Sequence, residues 1–387
     1  MSIVRSQAVL NTQPSGMRPL DIQDEVMAIR PSESVLVTAL MAKNRVAVDS
    51  YVFKINEQNI DPGQVTVVGI AGNVLTLDTG ETDYCRPGQT LRVDHDTAPL
   101  ITAVDRNANT VTVDDSTGVS EDDVAVLGSA GSEELSDRPT PISRVPTQIE
   151  NYVETLRDAY GQSRHAQNER FYGGPVGVRN RDIAIWEHKR FIDRGLFYNV
   201  KKETTLNGQK LYKTNGLFAS ISTNVHEFSS GHVTWDAIQT NLRSDVRFCQ
   251  SPNLWFFVSL RGWAIIEKIV RDKTVPQSYA EAAGIQVKKI GLMGKTLNMM
   301  VIDHFESGTD LEKCMVLVDP KMMEIVTTKD QTSGQRQWMM ENVLKREQHT
   351  NGTDGTIGEI LSDFGLRLHN EKAHAIWWNA ADATSGS

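Results

Sequence analysis

The chain has 387 residues and a mass of 43.0 kDa, with 39% hydrophobic and 23% charged positions. This size and composition predict a soluble globular protein of two or three structural units and exclude fibrous and wholly disordered chains. No window reaches the roughly 18 apolar residues of a membrane helix, and the first residues lack a secretory signal pattern, so we expect a cytoplasmic protein without membrane contact. Three widely spaced cysteines predict neither a disulfide framework nor a zinc site.

The charge is unevenly distributed along the chain. Residues 55–130 contain thirteen Asp and Glu against three Arg, a balance of -10, which leaves +1 for the rest of a chain whose net charge is -9. No lysine occurs between Lys54 and Lys189. Binding along nucleic-acid phosphates requires Lys and Arg, so this segment should face water or a basic partner.

A run of acidic side chains within this segment is a candidate surface site. The nearby stretch Asp105–Asn109 resembles part of a calcium-binding loop, but Thr110 stands where that loop needs glycine. A weakly bound surface cation at the acidic run is one interpretation. A solvated acidic rim that keeps strand edges from aggregating is the interpretation we favour. The residues concerned are Asp114, Asp115, Glu121, Asp122 and Asp123.

The N-terminal part of the chain changes character near Arg45. Residues 1–30 have no sustained hydrophobic period, which predicts an arm ordered only by its neighbours or, equally, a disordered tail. From Arg45 to Gln58 apolar residues alternate with polar ones, as in an extended ribbon.

An internal repeat with an offset of 36 residues follows the ribbon. Residues 65–68 align with 101–104, and residues 73–78 align with 109–114. Each copy has the pattern of a hairpin plus one more strand, which predicts a small closed barrel or sandwich of about six strands. Chance similarity between two ordinary hairpins is the alternative.

The strongest helix pattern spans about Asn180 to Lys201, after a linker-like stretch at 129–147. Ile185, Ile192 and Leu196 recur on one face of this helix. The other face is expected to be basic, and it is a candidate for contact with DNA or with acidic groups of an adjacent chain. Its basic residues are Arg181, Lys189, Arg190 and Arg194.

The remainder alternates between helix and strand patterns. The apolar run at 254–258 is typical of a strand in the centre of a covered sheet. Helices are expected at 235–248 and around 265–270, a short helix at 321–326, and strands at 358–369 and 373–378. The chain therefore reads as an α+β core interrupted by an all-β insertion.

No pattern in the sequence points to catalysis, a cofactor or a metal ion. The string Gly291 to Thr296 ends like a phosphate-binding loop, but Lys289 stands where that loop needs its first glycine. His369 and His374 are five residues apart, which does not match a metal-binding helix pair. We find no Gly-x-Ser-x-Gly string, and we predict a protein that is not an enzyme.

The order of these elements resembles that of the major capsid protein of tailed bacteriophages, the Hong Kong 97-type capsid fold. Two short stretches, residues 213–225 and 358–374, are similar to segments of one branch of that family. The resemblance implies an α+β fold with a peripheral domain that contains a long spine helix, an axial domain and an extended loop, here carrying the inserted β module. The implied boundaries are an arm at 1–44, extended-loop ribbons at 45–58 and 139–160, the β module and linker at 59–138, the peripheral domain at 161–231, the axial domain at 232–318, a return to the peripheral domain at 319–379 and a tail at 380–387.

The resemblance also implies a function. We expect a subunit that assembles as hexamers and pentamers into an icosahedral head shell in the host cytoplasm. Its expected partners are copies of itself, the portal, scaffold and cement proteins, and packaged DNA through weak contacts. A β-rich tail or surface attachment protein is the alternative, and an enzyme with an unrecognised site is a third hypothesis.

Overall fold

The structure is a computed structural model, and it describes residues 35–41, 45–58, 63–132, 134, 145–169, 175–228, 233–271, 277–282, 285–305, 310–329, 339–344 and 354–380. Most of the predicted arm, tail and linker lies outside these residues. The chain divides into two compact units. The main unit comprises Met1–Ile55 and Ile149–Ser387, and the inserted unit comprises Asn56–Gln148.

The described helices are α1 (Val35–Met41), α2 (Arg164–Asn168), α3 (Val176–Tyr198), α4 (Leu217–Ser220), α5 (Trp235–Asp245) and α6 (Leu260–Arg271). The strands up to residue 163 are β1 (Arg45–Val48), β2 (Val52–Glu57), β3 (Gln64–Ala71), β4 (Val74–Leu77), β5 (Gln89–Arg92), β6 (Ile101–Asp105), β7 (Thr110–Val113), β8 (Val124–Ala130), β9 (Thr147–Tyr152) and β10 (Glu154–Ser163). The later strands are β11 (Lys202–Leu206), β12 (Gln209–Lys213), β13 (Val225–Glu227), β14 (Asn253–Val258), β15 (Gln277–Ala282), β16 (Ile285–Leu292), β17 (Lys295–Val301), β18 (Met315–Val318), β19 (Met323–Thr328), β20 (Met340–Leu344), β21 (Gly355–Leu368) and β22 (Ala375–Trp378).

A five-stranded sheet carries the long helix α3. Its order is β1–β19–β21–β10, and β20 also pairs with β21. Ile192 and Leu196 of α3 pack into the same buried cluster as Phe364 and Leu366 of β21. Gly195 lies between them, and a Cβ at this position would come within 3.1 Å of the Phe364 ring. A side chain here would crowd the Phe364 ring, so the close contact with the sheet favours glycine at this position despite its cost within a helix.

A seven-stranded sheet forms the other half of the main unit, in the order β13–β22–β18–β14–β17–β16–β15. Its central strand β14 buries side chains on both faces. Trp255 and Phe257 belong to the core shared with α1 and α3, whereas Phe256 and Val258 belong to the core covered by α5 and α6. The prediction of a covered central strand at 254–258 is thus confirmed.

Two local predictions in the main unit need correction. The long helix begins at Val176 and ends at Tyr198, where the backbone becomes extended at Asn199, instead of running from 180 to 201. The segment at 321–326 is not a helix, because Met323–Thr328 forms β19 between β1 and β21. Its β-branched residues 325–328 are all buried, so packing within the sheet decides the conformation.

The inserted unit is a six-stranded barrel, in the order β5–β8–β3–β4–β7–β6. An antiparallel bridge between Thr90 and Leu100 joins the two ends of this order. Ten buried residues fill the interior, Leu75, Leu91 and Val111 among them. The predicted small barrel of about six strands is present, within a mixed helix and strand fold.

The barrel is built from two equivalent halves, as the repeat predicts. Asp122 N–H donates to the Val67 carbonyl and Gly88 N–H donates to the Ile101 carbonyl, both at 2.8 Å. In these two bonds, the equivalent residues of the first strands, Val67 and Ile101, are 34 residues apart, and so are those that precede the third strands, Gly88 and Asp122. Leu75 and Val111, which lie opposite each other in the second strands, are 36 residues apart. The alignment at 65–68 is therefore displaced by two residues, because the turn at 106–109 is two residues longer than the turn at 72–73.

The third strand of each half pairs with the first strand of the other half. β8 pairs with β3, and the Thr90–Leu100 bridge is the corresponding contact between β5 and the start of β6. Neither half can close its own set of hydrogen bonds without the other. The duplication thus forms one cooperative domain and not two small ones.

Candidate assembly surfaces

A buried polar chain fixes α3 to its sheet. His188 of α3 contacts the Asp158 carboxylate of β10 at 2.5 Å through Nδ1 and the Ser362 hydroxyl of β21 at 2.7 Å through Nε2. Serine hydrolases use the same order of hydrogen bonds, but here both His188 and Ser362 are completely buried. Because no substrate can approach the Ser362 Oγ, this series of hydrogen bonds serves to position α3 on the sheet.

A buried carboxylate, that of Asp193, joins three segments of the main unit. Asp193 of α3 accepts a hydrogen bond from the Val37 N–H of α1 at 2.9 Å, and its other oxygen lies 3.0 Å from His304 Nε2. His304 Nδ1 in turn lies 2.8 Å from the Tyr198 hydroxyl. The single Asp193 side chain therefore ties α1, α3 and the turn at Asp303–Phe305 together.

Arg181, the first of the predicted basic residues, is paired within the chain. Its guanidinium binds the Glu341 carboxylate of β20 through two hydrogen bonds of 2.5 and 2.7 Å, and the Tyr160 hydroxyl donates to the same carboxylate. The bonds from Arg181 and then Tyr160 lower the pKa of Glu341 to about 2. Arg181 therefore fastens β20 against α3 and is not available as an isolated surface charge.

The other three basic residues of α3 differ among themselves. Arg190 bonds Asp303 at 2.7 Å and lies over the Trp186 ring at 5.0 Å, with only 15% of its side chain exposed. Lys189 and Arg194 are exposed, and neither forms an ion pair with another residue in the part of the chain that the structure describes. Of the four candidates, these two are placed to bind an external anion.

The expectation that the four share one face is wrong on geometric grounds. Successive residues on a helix are rotated by about 100°, so Arg181 lies on the side of His188, seven residues later. Arg190 and Arg194 lie on the opposite side. The apolar spacing of Ile192 and Leu196 identified the buried face correctly, but Arg181 extends that same face beyond the core.

Two separate two-stranded elements share an aromatic cluster at their bases. The first is the ribbon of β2 and β9, and the second is the hairpin of β11 and β12. Tyr51 and Tyr152 stand at the base of the ribbon, and Tyr212 stands at the base of the hairpin. Tyr212 stacks on Tyr51 at 6.5 Å and meets Tyr152 edge-on at 5.2 Å. These rings couple the bases of the two elements.

Hydrogen bonds and an ion pair also hold the bases of the ribbon and the hairpin in place. Asn151 donates to the Leu366 carbonyl at 2.7 Å and accepts from the Asn215 N–H at 2.8 Å. The buried Glu154 carboxylate binds Lys213 and accepts from Asn199 at 2.6 Å. The bases of the ribbon and the hairpin are therefore fixed to β21 and to the end of α3.

The two-stranded ribbon is shorter than the extended-loop ribbons predicted at 45–58 and 139–160. Only β2 and β9 pair with each other, because the flanking strands β1 and β10 join the five-stranded sheet. The portion of the predicted ribbon at 139–144 lies outside the described residues.

The predicted acidic residues of the inserted barrel are mostly turn-forming. Asp114 accepts from the Leu100 N–H at 2.7 Å, Asp115 accepts from the Thr117 N–H and hydroxyl, and Asp123 accepts from the Ser120 N–H. The bonds from Thr117 lower the pKa of Asp115. These carboxylates fulfil local backbone requirements, so their number reflects turn chemistry as much as surface charge.

Glu121 and Asp122 complete the acidic set. Both are exposed, and Asp122 adopts a positive φ of 67°. Among the residues that the structure describes, no group of three or more His, Cys, Asp or Glu is arranged to hold a metal ion. Within the same residues, no helix is both long and apolar enough to cross a membrane.

The comparison with protein families identifies the chain. Residues 5–381 match the model of the SU10 major capsid protein family. The chain belongs to this family of major capsid proteins. It therefore has a capsid-forming structural role and associates with copies of itself, and its place is the virion capsid. The resemblance deduced from the order of elements is confirmed.

Solved structures share the fold at low sequence identity. An encapsulin complex of Synechococcus elongatus PCC 7942, holo-SrpI, is 9% identical with a TM-score of 0.51, over 94% of this chain and 96% of that one. The capsid of a native GTA particle is 10% identical with a TM-score of 0.50, over 97% and 99% of the two chains. None of the curated proteins matches the sequence. The α+β capsid fold predicted from the sequence is confirmed.

The sequence analysis did not identify the residues that hold α3, the ribbon and the hairpin in place. His188, Asp158 and Ser362 lie on three elements, and their partners are 30 and 174 residues apart. Nothing in their spacing signals the contact. Tyr51 and Tyr152 could have been noticed, since each stands at the base of one strand of the predicted ribbon.

Proposed function

We propose that this capsid protein assembles as hexamers and pentamers into the icosahedral head shell around a phage genome, and that it does so without catalysis. The observation that carries the proposal is the pair of two-stranded elements, the ribbon and the hairpin, whose strands join neither large sheet of the main unit. A two-stranded element is marginal alone in water and gains stability when it packs on another chain. Their braced bases favour a fixed orientation of both elements.

Domain roles follow from the same assignment. We propose that the five-stranded sheet with α3 is the peripheral domain and that the seven-stranded sheet is the axial domain. This assignment differs from the predicted boundaries at β13 and β22, which were expected in the peripheral domain but pair within the seven-stranded sheet. The exposed charges of Lys189 and Arg194 suit weak contact with packaged DNA or with acids of an adjacent subunit. Assembly in the host cytoplasm, with portal, scaffold and cement proteins as partners, completes the proposal.

The absence of catalysis is supported by the enclosure of Ser362. Its hydrogen bond to His188 has the geometry of an activated nucleophile, but the group is at 0% exposure between helix and sheet. In this interpretation the Ser–His–Asp order is a structural tie that resembles an active site only in its bonding.

Sedimentation velocity of the purified chain, with negative-stain imaging of the fast fraction, tests the proposal. We expect rings of five or six subunits, sheets or closed shells. A subunit that stays monomeric at high concentration, both alone and with the other head proteins, would contradict self-assembly.

A further inference from the structure

The two halves of the inserted barrel provide an internal comparison of surface residues. Val68, Val124 and Val126, here named the valine face, are 52%, 48% and 54% exposed. Positions that differ by 34 residues are equivalent, so the counterparts of these valines are Thr102, Thr90 and Arg92, here named the polar face. All three polar-face residues are exposed as well. The fold accepts polar residues at these positions, so barrel stability does not require the valines.

The three valines adjoin on the outer surface. Val124 lies opposite Thr66 and Val126 lies opposite Gln64 in the pairing of β8 with β3. Val68 lies two residues beyond Thr66 on β3. The barrel interior holds the alternate residues Val65, Val67 and Ala125. At one position the comparison is reversed, because Leu100 beside the polar face is the counterpart of Thr66 beside the valine face. Leu100 is less exposed than the three valines, at 38%.

Charge differs between the two faces in the same way. Glu121, Asp122 and Asp123 directly precede Val124 and flank the valine face. Their counterparts, 34 residues earlier, are Pro87, Gly88 and Gln89, which carry no charge. The valine face therefore has an apolar surface and an acidic edge at Glu121–Asp123, whereas the polar face lacks the three valines and has its exposed acidic residues, Asp94 and Asp96, beside Arg92. A contiguous apolar surface with a charged rim is typical of a protein interface.

We propose that the valine face docks on the main unit of a neighbouring copy of this chain. The proposal rests on the proposed shell function, which supplies that neighbour. Two valine faces brought together would oppose their acidic edges, and residues 55–130 carry a balance of -10. The remaining residues, most of which belong to the main unit, sum to +1, so the main unit carries no comparable net negative charge. The absence of like-charge repulsion thus favours the neighbour's main unit over its barrel.

A photoreactive amino acid at Val126 tests the contact in assembled shells. Irradiation is expected to join two chains, and peptide mapping is expected to place the acceptor residue in the main unit of the second chain. The same amino acid at Arg92, the equivalent position on the polar face, is the matched control and is expected to give at least tenfold fewer joined chains. Equal yields at both positions, no joined chains, or acceptors confined to a neighbour's barrel would overturn the proposal.

A substitution experiment removes the apolar surface by using residues that the barrel already carries at the equivalent positions. The triple variant Val68→Thr, Val124→Thr, Val126→Arg gives the valine face the residues of the polar face. Its barrel is expected to fold, as circular dichroism can verify, while the contact weakens more than tenfold and shell yield falls. The double variant Thr90→Ala, Thr102→Ala is the control and should assemble normally.

The results distinguish a failure of this contact from a failure of the proposed shell function. If wild-type chains form no shells, the proposed function fails and the contact fails with it. If wild-type and triple-variant shells form equally well, the function stands and the contact is refuted, which would leave the valine face for a separate protein.

Discussion

The main unit and the inserted barrel place their polar groups in opposite ways. In the main unit, polar groups are buried and join distant residues: Val37 to Asp193 across 156 positions and His188 to Ser362 across 174. In the barrel many of them are exposed and local, as when Asp115 binds Thr117 two positions away. The turns of the barrel are thus specified largely by nearby residues, whereas the main unit depends on contacts between remote segments. The comparison predicts that substitutions act within one unit and differ in kind between the two.

The largest expected effect comes from Asp193→Ala. This change leaves His304 and the Val37 N–H without their buried partner, and each unsatisfied buried group costs about 1–3 kcal/mol. Denaturant unfolding of the unassembled subunit should show the loss in the transition of the main unit. The control is Asp182→Ala on the same helix, where the side chain is largely exposed. Similar losses for both variants would refute the role of Asp193 as a tie.

A core truncation should keep its effect inside the barrel. Leu75 is completely buried and lies opposite its counterpart Val111. Leu75→Ala is expected to lower barrel stability by about 2–4 kcal/mol through lost burial and a cavity. Hydrogen exchange should then accelerate at β3 to β8 and remain unchanged at β14 and β21. Faster exchange throughout both units would contradict their independence.

Acid should weaken the main unit through His374. Burial lowers the pKa of His374 to about 4, from a usual value near 6.5. Between these values the unfolded chain binds a proton that the folded chain excludes, so stability falls as pH drops from about 6.5 to about 4, by about 3 kcal/mol. The effect should appear in the free energy of unfolding measured at pH 7 and pH 4.5.

The matched variant for the acid effect is His374→Gln, which should make the pH dependence shallower. An identical pH profile for wild type and His374→Gln would exclude this residue as the source.

The smallest effect is expected from Asp115→Ala. The variant loses the bonds from Thr117 that shape an exposed turn, but no buried group loses a partner. Thermal unfolding should shift less than in any variant above, and shells should form with normal yield. Failed assembly would show that the acidic residue has a role beyond its turn.

The barrel was predictable because its information is local. Asn73–Asp78 and Asn109–Asp114 repeat a strand and its turns, and the repeat was enough to predict six strands. The two-residue displacement of the first strands was missed, since turn length between β6 and β7 is fixed by backbone pairing. The helix at α3 and the central strand β14 were predictable from apolar spacing for a similar reason.

The assembly surfaces were less predictable because tertiary contacts define them. Arg181 reads as a surface charge until Glu341, 160 residues later, is seen to bind it. β19 reads as a helix until β1 and β21 enclose it. Neither Glu341 nor those strands leave a local trace at the residue in question, so periodicity could not reveal the pairing.

The most direct test of the account is a cryo-electron microscopy map of the assembled particle. The account predicts a closed icosahedral shell whose subunits match the main unit, with each β2–β9 ribbon resting on a neighbouring subunit. Each valine face should lie against a neighbour's main unit. A particle without a closed lattice, or a shell in which ribbon and barrel touch only their own subunit, would contradict it.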